Sequence, residues 1–297
     1  MQFLRLTGLQ IRELMGRKEF LFSFTLMLIY CVAIGIFNIN NYFGMDVQLL
    51  PEADSMFCGN ANTKWSWILI FLLAILSAVP AAMSVADDRS AGLIPLTMTR
   101  AGRGRYCFSK LTACFLLGFL VFFIPFCVNI AINAIVFPSE ELFWLRQGFT
   151  FGDDTAIQYH SDHFVWSSLY YASPLLYNVF SAAVFSIFAG AAGVFSCGFA
   201  WLFQQNKYRC IVPFFCLYLI TDGLSNILIK LPSGEFLFMK DNGYYADYFS
   251  LRNNLTGQFY EAYSPTAGPV YVAILIAVLL AAGVILTWIQ IRRDDLD

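Results

Sequence analysis

Charge is what this chain has least of. Only 13% of its 297 residues are Asp, Glu, Lys or Arg, against 59% hydrophobic. A soluble domain of that length would lack the polar surface to cover its core, so the chain reads as an integral membrane protein. The net charge of -2 leaves no basic excess, and no nucleic-acid partner is expected. Histidine is nearly missing. His160 and His163 flank Asp162, but no fourth ligand accompanies them and the group reads as a solvated loop, so no metal or other cofactor is expected. No Gly-x-x-x-x-Gly-Lys-Ser/Thr loop, Gly-x-Ser-x-Gly elbow or His-Glu-x-x-His pair occurs. Without a catalytic motif the chain is not expected to be an enzyme, and work against a gradient would need energy from elsewhere. Cys-x-x-Cys pairs are absent too. Cys31, Cys114, Cys127, Cys197 and Cys216 fall inside apolar runs, Cys107 and Cys210 lie at their edges, and Cys58 remains as the one exterior thiol. A disulfide framework is therefore not expected.

What is present is a series of apolar runs near the roughly 20 residues a helix needs to cross the hydrocarbon. They cover residues 20–37, 65–86, 111–137, 173–203, 210–229 and 269–289. The expected fold is all-α: a polytopic membrane protein forming a single transmembrane domain over 1–297, with six transmembrane helices. Residues 1–19 precede the first span. Phe3, Leu4, Thr7, Ile11, Leu14 and Met15 share one helical face, with Gln2, Arg5 and Arg12 opposite and Leu6 and Leu9 off the pattern. An interfacial helix resting on membrane lipid fits that arrangement. Of the 18 Lys and Arg residues, 13 precede span one, follow spans two and four, or close the chain. By the positive-inside rule both ends are cytoplasmic, giving an N-in/C-in chain in a cell membrane, read here as a bacterial plasma membrane.

Few polar groups interrupt the spans. Pro125, Asn129 and Asn133 are four apart and share a face of the third span; Asn178 stands early in the fourth, and Asp222 and Asn226 lie one turn apart in the fifth. Polar groups turn away from lipid, so all five Asn and Asp residues are candidates for a substrate path. Helix-to-helix glue is the alternative for Asn129 and Asn133. For Asp222 the alternative is an interfacial cap where the helix breaks at Gly223 and Ser225. The fourth span carries two rows of small residues, Ala182, Ser186, Gly190 and Ala189, Gly193, Cys197, which suit close packing at the centre or at a subunit interface. Ala273, Ala277 and Ala281 repeat that spacing in the last span. Residues 230–268 hold too few consecutive apolar residues to cross, yet are rich in Phe and Tyr, as short exterior helices at the membrane boundary would be.

The stretch from Asp87 to Lys110 lies between spans two and three and carries Arg89, Arg100, Arg103, Arg105 and Lys110. Its middle, Ala91 to Met98, is apolar enough to need a protein surface to rest on. In order it presents Asp87 and Asp88, then Gly92, an aliphatic helix including Leu93, Ile94 and Leu96, an arginine turn at Arg103 or Arg105, and Lys110. With the interfacial N-terminal helix, the six spans and the aromatic exterior segment, this arrangement resembles the membrane subunit of a type-2 ABC transporter. The chain departs from that pattern at Leu93, where threonine commonly follows the glycine, and at the arginine turn, which lacks a proline because Pro95 falls earlier.

The resemblance implies a coupling helix around Ala91 to Thr99, seated in a groove of a separate ATP-binding cassette ATPase. Asp87, Asp88, Gly92, Leu93, Ile94, Leu96, Arg103 and Arg105 would be the coupling residues, with positive-charge topology an equal explanation for the arginines. It also implies a second permease subunit, identical or related, and export of an amphipathic cargo such as a lipid, drug or peptide. Two other readings stay open. A stand-alone secondary transporter would need ion-coupling groups near the midplane, and a membrane sensor or immunity protein would bind its ligand through the exterior loops.

Overall fold

The structure, a computed structural model, describes residues 2–46, 50, 51, 53, 55–59, 65–138, 169, 173–202, 212–230, 251, 255 and 267–293. The His160, Asp162 and His163 group, the loop 204–209 and most of the aromatic stretch 230–268 lie outside the described residues. Among the described residues the chain is helical, with no strand. The helices are α1 Gln2–Met15, α2 Lys18–Asn41, α3 Ser66–Leu76, α4 Ala78–Ser90, α5 Leu93–Ala101, α6 Arg103–Val136, α7 Pro174–Leu202, α8 Val212–Lys230 and α9 Ala267–Arg293. Among the described residues, five stretches are long and apolar enough to cross a membrane: Lys18–Asn41, Trp67–Ser90, Arg103–Val136, Pro174–Trp201 and Val270–Gln290. The fifth expected span coincides with α8, of which Val212–Thr221 is apolar but short.

The second crossing is broken once, between α3 and α4. Pro80 has no N–H to give the Leu76 carbonyl, and the Ser77 hydroxyl donates to the Leu73 carbonyl at 2.6 Å. The third crossing starts earlier than its apolar run. It was expected from residue 111, but α6 begins at Arg103 and runs 34 residues without a break. Arg and Lys interrupt hydropathy, not helix propensity, so the charged turns extend the helix. The second crossing likewise continues past residue 86 to Ser90.

α7 forms the centre of the bundle, packing against α4, α6, α8 and α9. Its small residues make this possible. A Cβ on Gly190 would stand 2.8 Å from the Phe115 carbonyl oxygen, and one on Gly193 3.2 Å from that of Ser77. The predicted rows of α7 thus sit at the helix crossings. The alanine row of α9 does not: Ala273, Ala277 and Ala281 face outward. α9 approaches α7 through Gly283 instead, where a Cβ would stand 2.6 Å from the Val194 carbonyl oxygen. A four-residue repeat of alanines marks a face, and close approach selects the residue with no side chain at all. From the aromatic stretch, Leu251 and Leu255 are buried in the main core.

α1 packs on α6. Thr7, Gln10 and Leu14 are buried, while Phe3, Leu4, Leu9 and Met15 stay exposed. The expected apolar face therefore divides: Thr7 and Leu14 turn to the protein, and Phe3, Leu4 and Met15 turn out.

Candidate functional site

Two polar clusters lie at opposite ends of the bundle. The first is built on Asp88, in the last turns of α4. Arg17, in the two-residue gap between α1 and α2, reaches Asp88 Oδ1 with Nη2 at 2.5 Å. Lys110 of α6 donates from Nζ to Asp88 Oδ2 at 2.6 Å, and the Tyr106 hydroxyl donates to the same oxygen at 3.3 Å. Lys110 is only 2% exposed, a position a lysine holds only when its charge is matched. Arg17 also donates to the Ser84 carbonyl at 3.3 Å, approaches Asp87 Oδ2 at 3.5 Å and pairs with Glu13. Burial works against its charge, but its hydrogen bonds to the Glu13 and Asp88 carboxylates and their negative charges outweigh it, and its pKa is raised. A single carboxylate thus ties the start of α2, the end of α4 and the beginning of the long α6. Thr7 of α1 donates to Ser109 Oγ at 3.3 Å and adds a second tie to α6. Arg89 donates to the Trp201 carbonyl at 3.3 Å, so the same region is fastened to α7.

From this cluster projects α5. Two glycines set its direction: Gly92 has φ 65° and ψ 17°, and Gly102 has φ 84° and ψ 137°. Both φ values are costly for residues with a Cβ. An added Cβ would meet nothing within 4 Å at either site, so the constraint is in the backbone alone. This is why α5 spans Leu93–Ala101 rather than 91–99: the left-handed residue ends α4 and restarts the chain. Ile94 is buried with Tyr106, Cys107, Leu111 and Trp201, and Met98 packs against the same group. Leu93 and Leu96 are left 46% and 59% exposed. Arg103 and Arg105 are exposed on the first turn of α6.

The second cluster is made of amides. Between α2 and α3 the chain folds back into the bundle, burying the non-helical residues Phe57, Cys58 and Gly59. Its backbone needs partners, because buried non-helical backbone at this depth has no water to satisfy it. Three asparagines supply them. Asn38 and Asn133 both donate to the Met56 carbonyl, at 3.2 and 3.0 Å. Asn129 accepts from the Cys58 N–H at 3.0 Å and donates to the Cys31 carbonyl at 2.9 Å. Asn133 also donates to Asn129 Oδ1 at 3.1 Å. Phe57 packs edge-on against Phe126 with centroids 5.5 Å apart. Its ring would lie 2.4 Å from a Cβ at position 59, and only glycine fits there. Cys31 is ten residues, about 15 Å, from the end of α2 at Asn41.

In the sequence Cys58, in the loop between the first two spans, has no second thiol beside it. The fold supplies one: Cys58 is buried with its sulfur 3.8 Å from that of Cys31. Of the expected substrate-path residues, Asn129 and Asn133 are together and occupied with the inserted segment. Asn178 is buried on α7, and Asp222 and Asn226 fall on α8. Asp87, Asp88, Gly92, Leu93, Ile94, Leu96, Arg103 and Arg105 gather at the charged end. Arg17 and Tyr106 join them there and were not singled out by the sequence. The signal for Arg17 was a cation at a helix junction in a charge-poor chain, but its partner lies 71 residues away.

This fold defines a multi-pass helical membrane protein. No family model, curated protein or solved structure matches the chain.

Proposed function

We propose that this chain is the membrane subunit of an ATP-driven exporter, with α5 as the helix a separate ATPase grips. The observation that carries the reading is the construction of α5. A short helix is aimed by two positive-φ glycines, pinned on one side by Ile94 and left with Leu93 and Leu96 uncovered. The Asp88 network beneath it would pass a displacement of α5 to α2, α4 and α6 together. Six crossings with both termini cytoplasmic, counting α8 as the fifth, put α5 on the side where ATP is available. The exposed apolar residues of α1 suit the lipid interface on that side. Two copies, or this chain with a related one, would face two ATPases, whose closure would draw the α5 helices together and switch access to an amphipathic cargo.

The test is co-purification. Leu93→Asp with Leu96→Asp should abolish association with the ATPase while the protein still inserts and folds, since both side chains are exposed. Retained association with the doubly substituted chain overturns the assignment of α5.

A further inference from the structure

We propose that Cys31 and Cys58 form a disulfide that staples the inserted segment to α2. The two sulfurs are 3.8 Å apart and both residues are 0% exposed. Their relative position is fixed by one side chain, because the Asn129 amide holds the Cys58 N–H and the Cys31 carbonyl at once. The neighbouring Met56 carbonyl is held by two further amides. A disulfide needs the sulfurs at about 2.0 Å, so its formation draws the pair together by about 1.8 Å. Both thiols are covered in the closed bundle, so oxidation requires the inserted segment to open; Cys58, carried on that segment, then meets the oxidant, while Cys31 stays within α2.

The step is thiol–disulfide exchange with a small disulfide of the oxidised-glutathione class. The Cys58 thiolate attacks one sulfur of that disulfide, forming a mixed disulfide and releasing one thiol. The Cys31 thiolate then attacks the Cys58 sulfur and releases the second. The two protein thiols are oxidised, losing two protons and two electrons, and the small disulfide is reduced to two thiols. The proposal goes beyond the transport reading and does not rest on it. In the orientation proposed above the segment carrying Cys58 would enter the bundle from the oxidising side of the membrane.

The full-length chain is purified in detergent under reducing conditions, freed of reductant, incubated with oxidised glutathione, and then denatured in N-ethylmaleimide and digested for mass spectrometry. The expected result is a linked pair of peptides containing Cys31 and Cys58, two hydrogens lighter than their sum, with loss of most of the separately alkylated forms. Cys216, which is exposed, serves as the internal reference and should not appear in that link. Recovery of Cys31 and Cys58 as separate alkylated peptides, as glutathione adducts, or linked to other cysteines overturns the proposal. No variant is needed for this outcome, so a failure to fold cannot obscure it.

Discussion

The two ends of the bundle solve the same problem, holding helices together through buried polar groups, with opposite chemistry. At one end a carboxylate is shared by an arginine, a lysine and a tyrosine; at the other, three asparagines share the backbone of an inserted loop segment. A charge cluster is strong only while it is complete, because each ion left without its partner carries the full desolvation cost. An amide cluster loses one or two hydrogen bonds per substitution and leaves neutral groups behind. The charged end should therefore fail abruptly when one group is removed, and the amide end should loosen by degrees.

The comparison breaks most sharply at Asp88. Asp88→Asn leaves Arg17 and Lys110 without their shared anion, and should cost roughly 3–5 kcal/mol in thermal or denaturant unfolding of the detergent-solubilised protein. Adding Lys110→Met should cost less than the two single changes combined, because the lysine no longer has a lost partner; strict additivity would show that the two do not interact. At the amide end Asn129→Leu is expected to cost roughly 1–3 kcal/mol. Its signature should be local: in the reduced, folded protein Cys58 should be alkylated faster than in the unsubstituted chain, while the alkylation of Cys114, on the charged side of the bundle, should not change.

A smaller effect sharpens the picture of how α5 is aimed. Gly92→Ala must force a side chain into a left-handed backbone with nothing else to clash against, and should destabilise by about 1–2 kcal/mol. An unchanged midpoint would mean that α4 and α5 can re-form their junction without the left-handed residue. Smallest of all, Leu96→Asp on the exposed side of α5 should shift stability by less than about 0.5 kcal/mol. A larger loss would show that Leu96 is already covered within the chain rather than reserved for a partner.

Much of this was legible in the residues. Crossing helices announce themselves because lipid tolerates so few charges, and α5 stood out as an apolar island among arginines. The sharing of one face by Asn129 and Asn133 followed from their spacing. What they hold did not, because the inserted segment is polar enough to read as an ordinary connecting loop, and only tertiary structure brings Met56 and Cys58 to them. Periodicity likewise could not say that α9 would approach α7 at Gly283 and turn its alanines outward. Asp87, Asp88 and Lys110 were flagged by their order along one loop. Arg17 was not, since pairing across 71 residues leaves no local trace.

α6 joins the two ends. Its 34 residues make a rod about 50 Å long, well beyond the roughly 30 Å of hydrocarbon it has to cross. Lys110 sits near one extremity and Asn133 near the other, so the rod works as a lever whose two arms end in different materials. A tilt of about 5°, pivoting at the ionic arm, would shift the far arm, about 35 Å away, by about 3 Å. That is comparable to the 2.9–3.2 Å donor-to-acceptor distances of the amides fastening the inserted segment, which makes those asparagines the first joints to slip.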